Sequence, residues 1–151
     1  MRKLLCLLVV PFFLLGCKDQ QKIDQQIIEN YISTHHLNAI AEPNGLYYVP
    51  VSNGTGQSAM SASEVTVEYT GYLANDSVFS ASNIPYTTYL ANVIQGWQEG
   101  IPLMSRGGRC TLLIPSALGY GAQSQPSLQA GWSAIPPNSV LIFDIYLINF
   151  Q

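Results

Sequence analysis

The alternation of apolar and polar residues with a period of two limits the fold of this chain more than any other feature. From residue 46 onward this pattern recurs, and Val65, Val67 and Tyr69 alternate with polar residues as in a strand with one buried face. Residues 109–114 and 140–150 have the composition of further strands. The pattern therefore predicts an antiparallel sheet.

Helical spacing within this region is confined to one short stretch near residues 97–104. Residues 121–138 contain Gly, Ser, Gln and Pro and predict a long loop. The predicted fold class is therefore α+β, with an antiparallel sheet and one short internal helix.

A second helix is predicted ahead of the sheet. Residues 18–42 are polar and rich in glutamine, with apolar side chains at the helical positions 23, 27, 28, 31 and 32. Such a stripe indicates either a helix for dimerisation or docking, or a short helix that lies on its own domain or serves as a spacer from a membrane. We favour the second interpretation. The cluster Glu42-Pro43-Asn44-Gly45 marks the start of the globular domain.

The N-terminus has the features of an export signal. A basic head at residues 1–3 precedes an apolar run over residues 4–15, which is shorter than the ~20 residues needed to span a bilayer. The run ends at Gly16-Cys17 and resembles a bacterial lipoprotein signal, although an ordinary signal with an incidental cysteine would also fit. We therefore predict a signal peptide at 1–16, lipidation of Cys17, a tether with a short helix at 17–42 and a globular domain at 43–151.

The balance of charge limits the partners of the exported chain. Removal of residues 1–16 takes away two of the six basic residues and none of the nine acidic ones, which leaves a net charge of −5. A nucleic-acid binder needs a basic stripe, so we expect no nucleic-acid partner. The lipid must supply the attachment to a membrane, since anionic headgroups repel an acidic body. We expect a location in the bacterial cell envelope, and Lys18 after the lipidated position favours the outer membrane.

Residue types for nucleophilic or metal chemistry are sparse in the exported chain. Cys110 is its one cysteine besides Cys17, so we expect no disulfide and an inert thiol in the core. His35 and His36 are its two histidines and are interpreted as a solvated helix end. We expect no metal and no cofactor. Glu64 and Glu68 could form a carboxylate pair, but a solvated strand face is the favoured interpretation.

Four segments, each with at least one aromatic residue, carry the functional prediction. They are VEYTGYL at 67–73, VIQGWQEG at 93–100, LIPSALGYG at 113–121 and IPPNSVLIFD at 135–144. In this order and spacing the chain resembles the FKBP-type peptidyl-prolyl isomerases over residues 45–150. The resemblance implies a twisted antiparallel sheet of five or six strands wrapped around one short helix, preceded here by the N-terminal helix.

The resemblance also implies a proline pocket. Its catalytic residues would be Tyr69, Trp97, Tyr120 and Phe143, and its substrate-binding residues Phe79, Tyr86, Val93, Ile94 and Ile135. Trp97 would form the floor, and Tyr69, Phe143 and Tyr86 the walls. The Tyr120 hydroxyl and the Ile94 N–H would donate hydrogen bonds to substrate carbonyls.

The chain departs from the family pattern at three places. Ser80 stands where the family usually has an aspartate, and the segment 86–92 is about two residues shorter than usual. The loop 122–134 is about five residues longer than usual and carries Trp132. Trp132 could contact substrate or pack on the surface, and the sequence favours neither.

The resemblance implies an enzyme that twists Xaa-Pro bonds without proton transfer. A dry aromatic pocket solvates the planar, dipolar amide poorly and so disfavours it relative to the twisted state. Its substrates would be Xaa-Pro segments of exported proteins that are still folding, and a macrolide is a candidate ligand. Two alternatives stay open: a non-catalytic module or chaperone that binds proline segments, and a structural subunit of an envelope complex held by the 18–42 helix.

Overall fold

The structure, a computed structural model, describes residues 15–151. The predicted signal peptide lies outside the described residues except for its last two positions, and the lipidation of Cys17 stays a prediction. Within the described range, we find no helix with the length and apolar character required to cross a membrane.

Residues 15–151 form two helices and eight strands. The helices are α1 (Leu15–Thr34) and α2 (Gln95–Gly100), and the strands are β1 (Ile40–Ala41), β2 (Tyr47–Ser52), β3 (Thr55–Ser58), β4 (Glu64–Leu73), β5 (Val78–Tyr89), β6 (Ser105–Arg106), β7 (Arg109–Ile114) and β8 (Leu141–Phe150). Short 3-10 turns occupy Leu90–Asn92, Ile101–Leu103 and Ser116–Leu118.

Six strands form one antiparallel sheet in the order β1-β2-β7-β8-β4-β5, and β3 pairs with β6 in a separate two-stranded ribbon. The centre of the sheet is the long pairing of β4 with β8, which runs from Val65 opposite Phe150 to Leu73 opposite Leu141. The predicted α+β class and the six-stranded sheet with one short internal helix are confirmed.

α2 packs on one face of the sheet at very short range. A Cβ atom added at Gly96 would lie 2.5 Å from Cγ2 of Ile114, and one added at Gly100 would lie 2.5 Å from Cδ1 of Leu112. Only glycine permits so close an approach of a helix backbone to β7. Trp97 lies between these glycines and belongs to the main core cluster. The glycines thus press α2 onto β7 and place Trp97 in the core.

α1 packs on the opposite face of the same sheet. Its fully buried Ile28 and its Tyr31 belong to a second core cluster together with Leu113 and Ile142. The helix therefore lies on its own domain, as favoured from the sequence. Ile23, which the helical stripe included, is instead 47% exposed. Covering both faces explains the unbroken apolar run at residues 112–114 of β7, since Leu112 faces α2 and Leu113 faces α1.

Polar contacts hold the C-terminal end of α1 on the turn between β4 and β5. The Tyr31 hydroxyl donates a hydrogen bond to Oδ1 of Asp76 at 2.9 Å. The His35 ring stacks on the Tyr31 ring with 3.8 Å between centroids, and its Nε2 lies 3.3 Å from the same carboxylate oxygen. His35 and His36 are both exposed just after the end of α1, and His35 also contacts Tyr31 and Asp76.

Several predicted boundaries shift in the structure. The internal helix begins at Gln95 and not near Trp97, and its predicted second half is the 3-10 turn Ile101–Leu103. The last strand begins one residue later than expected, at Leu141. β1 lies at residues 40–41, within the segment predicted as tether, and pairs with β2.

Candidate functional site

A cavity of about 380 Å³ opens between α2, the strands β4, β5 and β8, and the loops that follow β7. The structure brings all nine predicted pocket residues to its lining. They are Tyr69, Phe79, Tyr86, Val93, Ile94, Trp97, Tyr120, Ile135 and Phe143. Residues from all four motif segments and from β5 thus meet at one concave site.

Three perpendicular aromatic rings form the buried part of this cavity. Trp97, Phe79 and Phe143 are each 4–5% exposed. The Phe143 ring meets the Trp97 ring edge-on at 5.2 Å and the Phe79 ring at 5.3 Å between centroids. Such edge-to-face pairs are a favoured aromatic geometry. The indole Nε1 of Trp97 is buried and has no hydrogen-bond partner within residues 15–151.

Gly71 on β4 makes this arrangement of rings possible. A Cβ atom at this position would lie 2.7 Å from Cζ of Phe79 and 2.8 Å from Cε1 of Phe143. Contacts under 3.0 Å are essentially forbidden for carbon atoms, so any larger residue would displace both rings. The glycine of the VEYTGYL motif therefore shapes the cavity without itself lining it.

Three tyrosines form the more open part of the cavity. Tyr69 lies 5.1 Å from Trp97 and 6.0 Å from Tyr86, in edge-to-face contact with both. Tyr86 and Tyr120 are 42% and 38% exposed, so their rings reach the rim. Partial burial, and to a lesser degree the neighbouring Tyr69, raises the pKa of the Tyr120 hydroxyl above its usual value. That hydroxyl is therefore a protonated hydrogen-bond donor throughout the neutral range.

The polar edge of the cavity is uncharged. Ser80 replaces the aspartate expected from the family pattern, and its Oγ lies 3.1 Å from the Tyr69 hydroxyl. Among the described residues that line the cavity there is no Asp, Glu, His, Lys or Arg. The site offers aromatic surface and neutral hydrogen-bonding groups, which suits an uncharged ring and a peptide backbone.

The long loop reaches the cavity through residues that sequence reasoning missed. Gln125, Pro126 and Leu128 line it, and Leu128 is 75% exposed. Trp132 is not among the lining residues, and its carbonyl accepts a hydrogen bond from Ser127 Oγ at 2.9 Å. Of the two interpretations of Trp132, a half-buried surface aromatic outside the cavity fits the structure. The extra length of the loop was the available signal, but it did not indicate which residues face inward.

Other candidate chemistry lies elsewhere in the molecule. Burial, followed by the charge of Asp144, raises the pKa of the Cys110 thiol far above its usual value, so this cysteine is inert as expected. Glu64 accepts a hydrogen bond from Gln151, whereas Glu68 lines a separate groove of about 460 Å³. Residues 15–151 contain no group of three His, Cys, Asp or Glu side chains able to hold a metal.

The 460 Å³ groove is a weaker candidate for a ligand pocket, because two of its three charged groups, Arg109 and Asp144, already have partners. The Arg109 guanidinium lies 4.0 Å from the centre of the Tyr146 ring, and Asp144 accepts a 2.6 Å hydrogen bond from Thr111. The aromatic cavity is therefore the candidate functional site.

Comparison with known proteins agrees with this location. The sequence matches the family model of FKBP-type peptidyl-prolyl cis-trans isomerase over residues 56–148. The probable FKBP-type peptidyl-prolyl cis-trans isomerase of Haemophilus influenzae is 41% identical over 109 residues, covering 70% of this chain and 43% of that protein. The outer membrane protein MIP of Legionella longbeachae is 37% identical over 112 residues, covering 72% and 46%. The chain thus spans less than half the length of these two relatives.

The fold is also similar to that of a solved enzyme structure. The peptidyl-prolyl cis-trans isomerase of Pseudomonas syringae pv. tomato superposes with a TM-score of 0.75 at 26% identity, over 89% of this chain and 95% of that chain. The family model covers more than half of the sequence and includes all nine predicted pocket residues. The chain therefore belongs to the FKBP-type peptidyl-prolyl cis-trans isomerase family.

Proposed function

We propose that this protein catalyses cis–trans isomerisation of Xaa-Pro peptide bonds in its aromatic cavity. The observation that carries the proposal is the convergence of nine aromatic and aliphatic side chains on one cavity whose described lining has no charged group. Membership of the family supports the same activity.

The chemistry follows from the electronic structure of the amide. Resonance opposes rotation about the C–N bond by ~18–20 kcal/mol and also makes the planar amide strongly dipolar. Twisting the bond breaks the resonance and reduces the dipole. A cavity that excludes water stabilises the planar amide less than water does, so it lowers the free-energy difference between the planar and the twisted form. No proton transfer or covalent intermediate is required.

Each element of the cavity has a role in this mechanism. The proline ring would lie on Trp97, between the rings of Tyr69 and Phe143. Two groups would donate hydrogen bonds to the substrate carbonyls: the Tyr120 hydroxyl and the N–H of Ile94, the residue that precedes α2. The Ile94 N–H makes no hydrogen bond within the part of the chain that the structure describes, which suits a donor to substrate.

The neutral Ser80 is compatible with catalysis. Its hydrogen bond to Tyr69 holds the hydroxyl of that wall residue in place, and the proposed mechanism needs no carboxylate. A binding module without turnover would have the same cavity, so a rate measurement and not an affinity has to separate the two functions.

The rate at which a short Leu-Pro peptide interconverts, measured by NMR exchange with micromolar protein, tests the activity. We expect acceleration over the slow uncatalysed reaction, which takes tens to hundreds of seconds. Binding of the peptide without acceleration would select the non-catalytic alternative.

A tryptophan pair provides the matched control for the site. Trp97→Leu should lower kcat/KM at least tenfold, or about 1.4 kcal/mol, because it removes the floor of the cavity. Trp132→Leu changes the other tryptophan of the chain, which does not line the cavity, and should leave kcat/KM unchanged. Equal effects of the two substitutions would place the site elsewhere.

We also propose that the protein is attached to the bacterial cell envelope through a lipid on Cys17, with the outer membrane favoured. The apolar run followed by Gly16-Cys17 supports this, as does the name of the Legionella relative, an outer membrane protein. The substrates would be exported proteins, whose folding is limited by slow proline isomerisation. Metabolic labelling with a radioactive fatty acid should mark the wild type and not Cys17→Ser. Labelling of both would exclude lipidation at this residue.

The structure gives little support to the third alternative, a subunit held in a complex by the 18–42 helix. The buried apolar residues of α1, Ile28 and Tyr31, are occupied by contacts with its own sheet. On the described surface of α1, Ile23 is the one large apolar side chain that is exposed. The apolar area of one side chain is too small for a stable protein interface.

A further inference from the structure

A buried carboxylate of α1 holds the turn that follows β7. Asp24 is 1% exposed, and its Oδ2 accepts two hydrogen bonds from Ser116, one from the backbone N–H at 2.8 Å and one from the hydroxyl at 2.6 Å. Its Oδ1 accepts a third bond from Gln20 at 2.7 Å. A buried carboxylate is costly unless it is well hydrogen-bonded, so these bonds define one geometry for Ser116.

Ser116 in turn holds the backbone on both sides of Tyr120. Its carbonyl accepts hydrogen bonds from the N–H groups of Gly119 at 3.0 Å and of Gly121 at 2.9 Å. The two glycines allow this segment unusual conformations, with φ +57° at Gly121 and φ −108°, ψ −119° at Gly119. A residue between two glycines has little intrinsic preference for one orientation, so external contacts must determine where the Tyr120 ring points.

We infer that Asp24 is a positioning residue for Tyr120. The chain of contacts runs from the Asp24 carboxylate to Ser116, from the Ser116 carbonyl to Gly119 and Gly121, and from these to the tyrosine at the rim of the cavity. The kinetic consequence rests on the proposed isomerase function, whereas the structural coupling does not. Asp24 lies outside the family match at 56–148, so the family pattern does not assign it this role.

The contacts from Asp24 to Tyr120 connect two faces of the sheet. α1 packs on the face of the sheet opposite to α2, and the cavity opens beside α2. Asp24 therefore connects the segment next to the predicted lipid anchor with a substrate donor in the cavity. Ser116 is the residue through which the connection passes.

A spectroscopic experiment tests the coupling independently of any activity. The ring signals of ¹³C-labelled tyrosine are recorded for the wild type, and Tyr120→Phe identifies the Tyr120 signal. Asp24→Asn should shift or broaden that signal and leave the Tyr89 signal in place, since Tyr89 lies at the end of β5. Asp19→Asn removes the same charge from an exposed residue of the same helix and should leave both signals unchanged.

Kinetics test the consequence for catalysis. Asp24→Asn should lower kcat/KM about threefold, mainly through kcat, because a displaced donor weakens an interaction that strengthens in the transition state. In the Tyr120→Phe background the same substitution should have almost no further effect, which is the signature of two residues that act through one interaction. Ser116→Ala, which removes one of the two bonds to Asp24, should give an intermediate loss.

The outcomes separate the two proposals. In one outcome, Asp24→Asn lowers only the melting temperature and leaves the Tyr120 signal and kcat/KM at wild-type values. That result would overturn the positioning role and leave the isomerase function intact. Additive losses in the double variant also overturn it. A wild type without isomerase activity overturns the proposed function, and the NMR comparison of Asp24→Asn with Asp19→Asn still decides the coupling. Should Asp24→Asn not fold, Ser116→Ala supplies the same comparison.

Discussion

The two helices pack against opposite sides of β7 by different means. α2 has six residues, and its glycines bring its backbone against Ile114 and Leu112 at distances that exclude a Cβ atom. Its contacts with the sheet are apolar and closely fitted. Its position therefore depends on shape, and the core tolerates little change there.

α1 is a helix of 20 residues that buries only a short stripe. Beside Ile28, its contacts with the domain include two sets of polar contacts, from Asp24 to Ser116 and from Tyr31 and His35 to Asp76. Hydrogen bonds specify direction and partner but contribute only about 1 kcal/mol each. We therefore infer that the side of the sheet that carries α2 and the cavity is the more rigid part of the molecule, whereas the side that carries α1 is aligned by a few specific polar groups.

The sharpest test of this difference compares two adjacent residues of β7. Leu112 and Leu113 are both fully buried, but Leu112 faces α2 and Leu113 faces α1. Leu112→Ala should cost about 4 kcal/mol of unfolding free energy and Leu113→Ala about 2–3, since a helix that can shift closes part of the void. Urea unfolding at constant m-value measures both. Equal costs would contradict the difference in rigidity.

The next largest change in stability is expected from a substitution of a glycine in α2. Gly96→Ala should raise helix propensity and stabilise the helix by up to about 1 kcal/mol, but the new methyl group overlaps Ile114. We expect a net loss of about 2 kcal/mol from overpacking. The double variant with Ile114→Val should recover part of it, as measured by thermal unfolding. A gain in stability from Gly96→Ala alone would show that α2 can move away from β7.

Removal of one polar contact of α1 should have a smaller effect. Tyr31→Phe deletes the hydrogen bond to Asp76 and should cost about 1 kcal/mol at neutral pH. Burial, and then this hydrogen bond, raises the pKa of Tyr31 above its ordinary value of 10.0. The contribution of Tyr31 is therefore complete below pH 10 and declines as pH rises above it, where the unfolded chain ionises first.

Unfolding of wild type and Tyr31→Phe at pH 7 and pH 10.5 checks this prediction, with the exposed Tyr89→Phe as control. The difference between wild type and Tyr31→Phe should shrink at the higher pH. A difference that grows would show that the sign of the pKa shift is wrong.

The smallest expected effect is that of pH on the proposed isomerase reaction. The described lining of the cavity has no carboxylate, imidazole or ammonium group, and partial burial raises the pKa of Tyr120. We therefore expect kcat/KM to vary less than about twofold between pH 6 and pH 9, at constant fraction folded. A bell-shaped profile would reveal a titrating group in the reaction and contradict the proton-free mechanism.

The cavity could be predicted because the motifs that resemble the FKBP family lie mostly on regular segments of the chain. Tyr69 and Phe143 lie on long central strands, and Trp97 lies on the single short helix, so the backbone geometry of each was predictable. The catalytic and binding roles of these residues, and the division of the chain at residues 16 and 42, stay predictions.

β5 was missed as a strand because its alternation is interrupted. The pairing with β4 shifts between Val67, which is opposite Tyr86, and Tyr69, which is opposite Ser82. Residues 83–85 thus face a single position of β4, and this bulge breaks the period of two. Leu128 and Pro126 were missed because an irregular loop has no period from which an inward-facing side chain can be inferred.

The sheet and the short internal helix follow from local hydrophobic patterns of the chain, and the residues of the cavity follow from the resemblance of its motifs to the FKBP family. The place of Asp24 follows from neither, since its polar neighbours in sequence would have left it in solvent. Its partner Ser116 is 92 positions away. The burial of a carboxylate depends on donors that folding brings to it, and no local pattern records them.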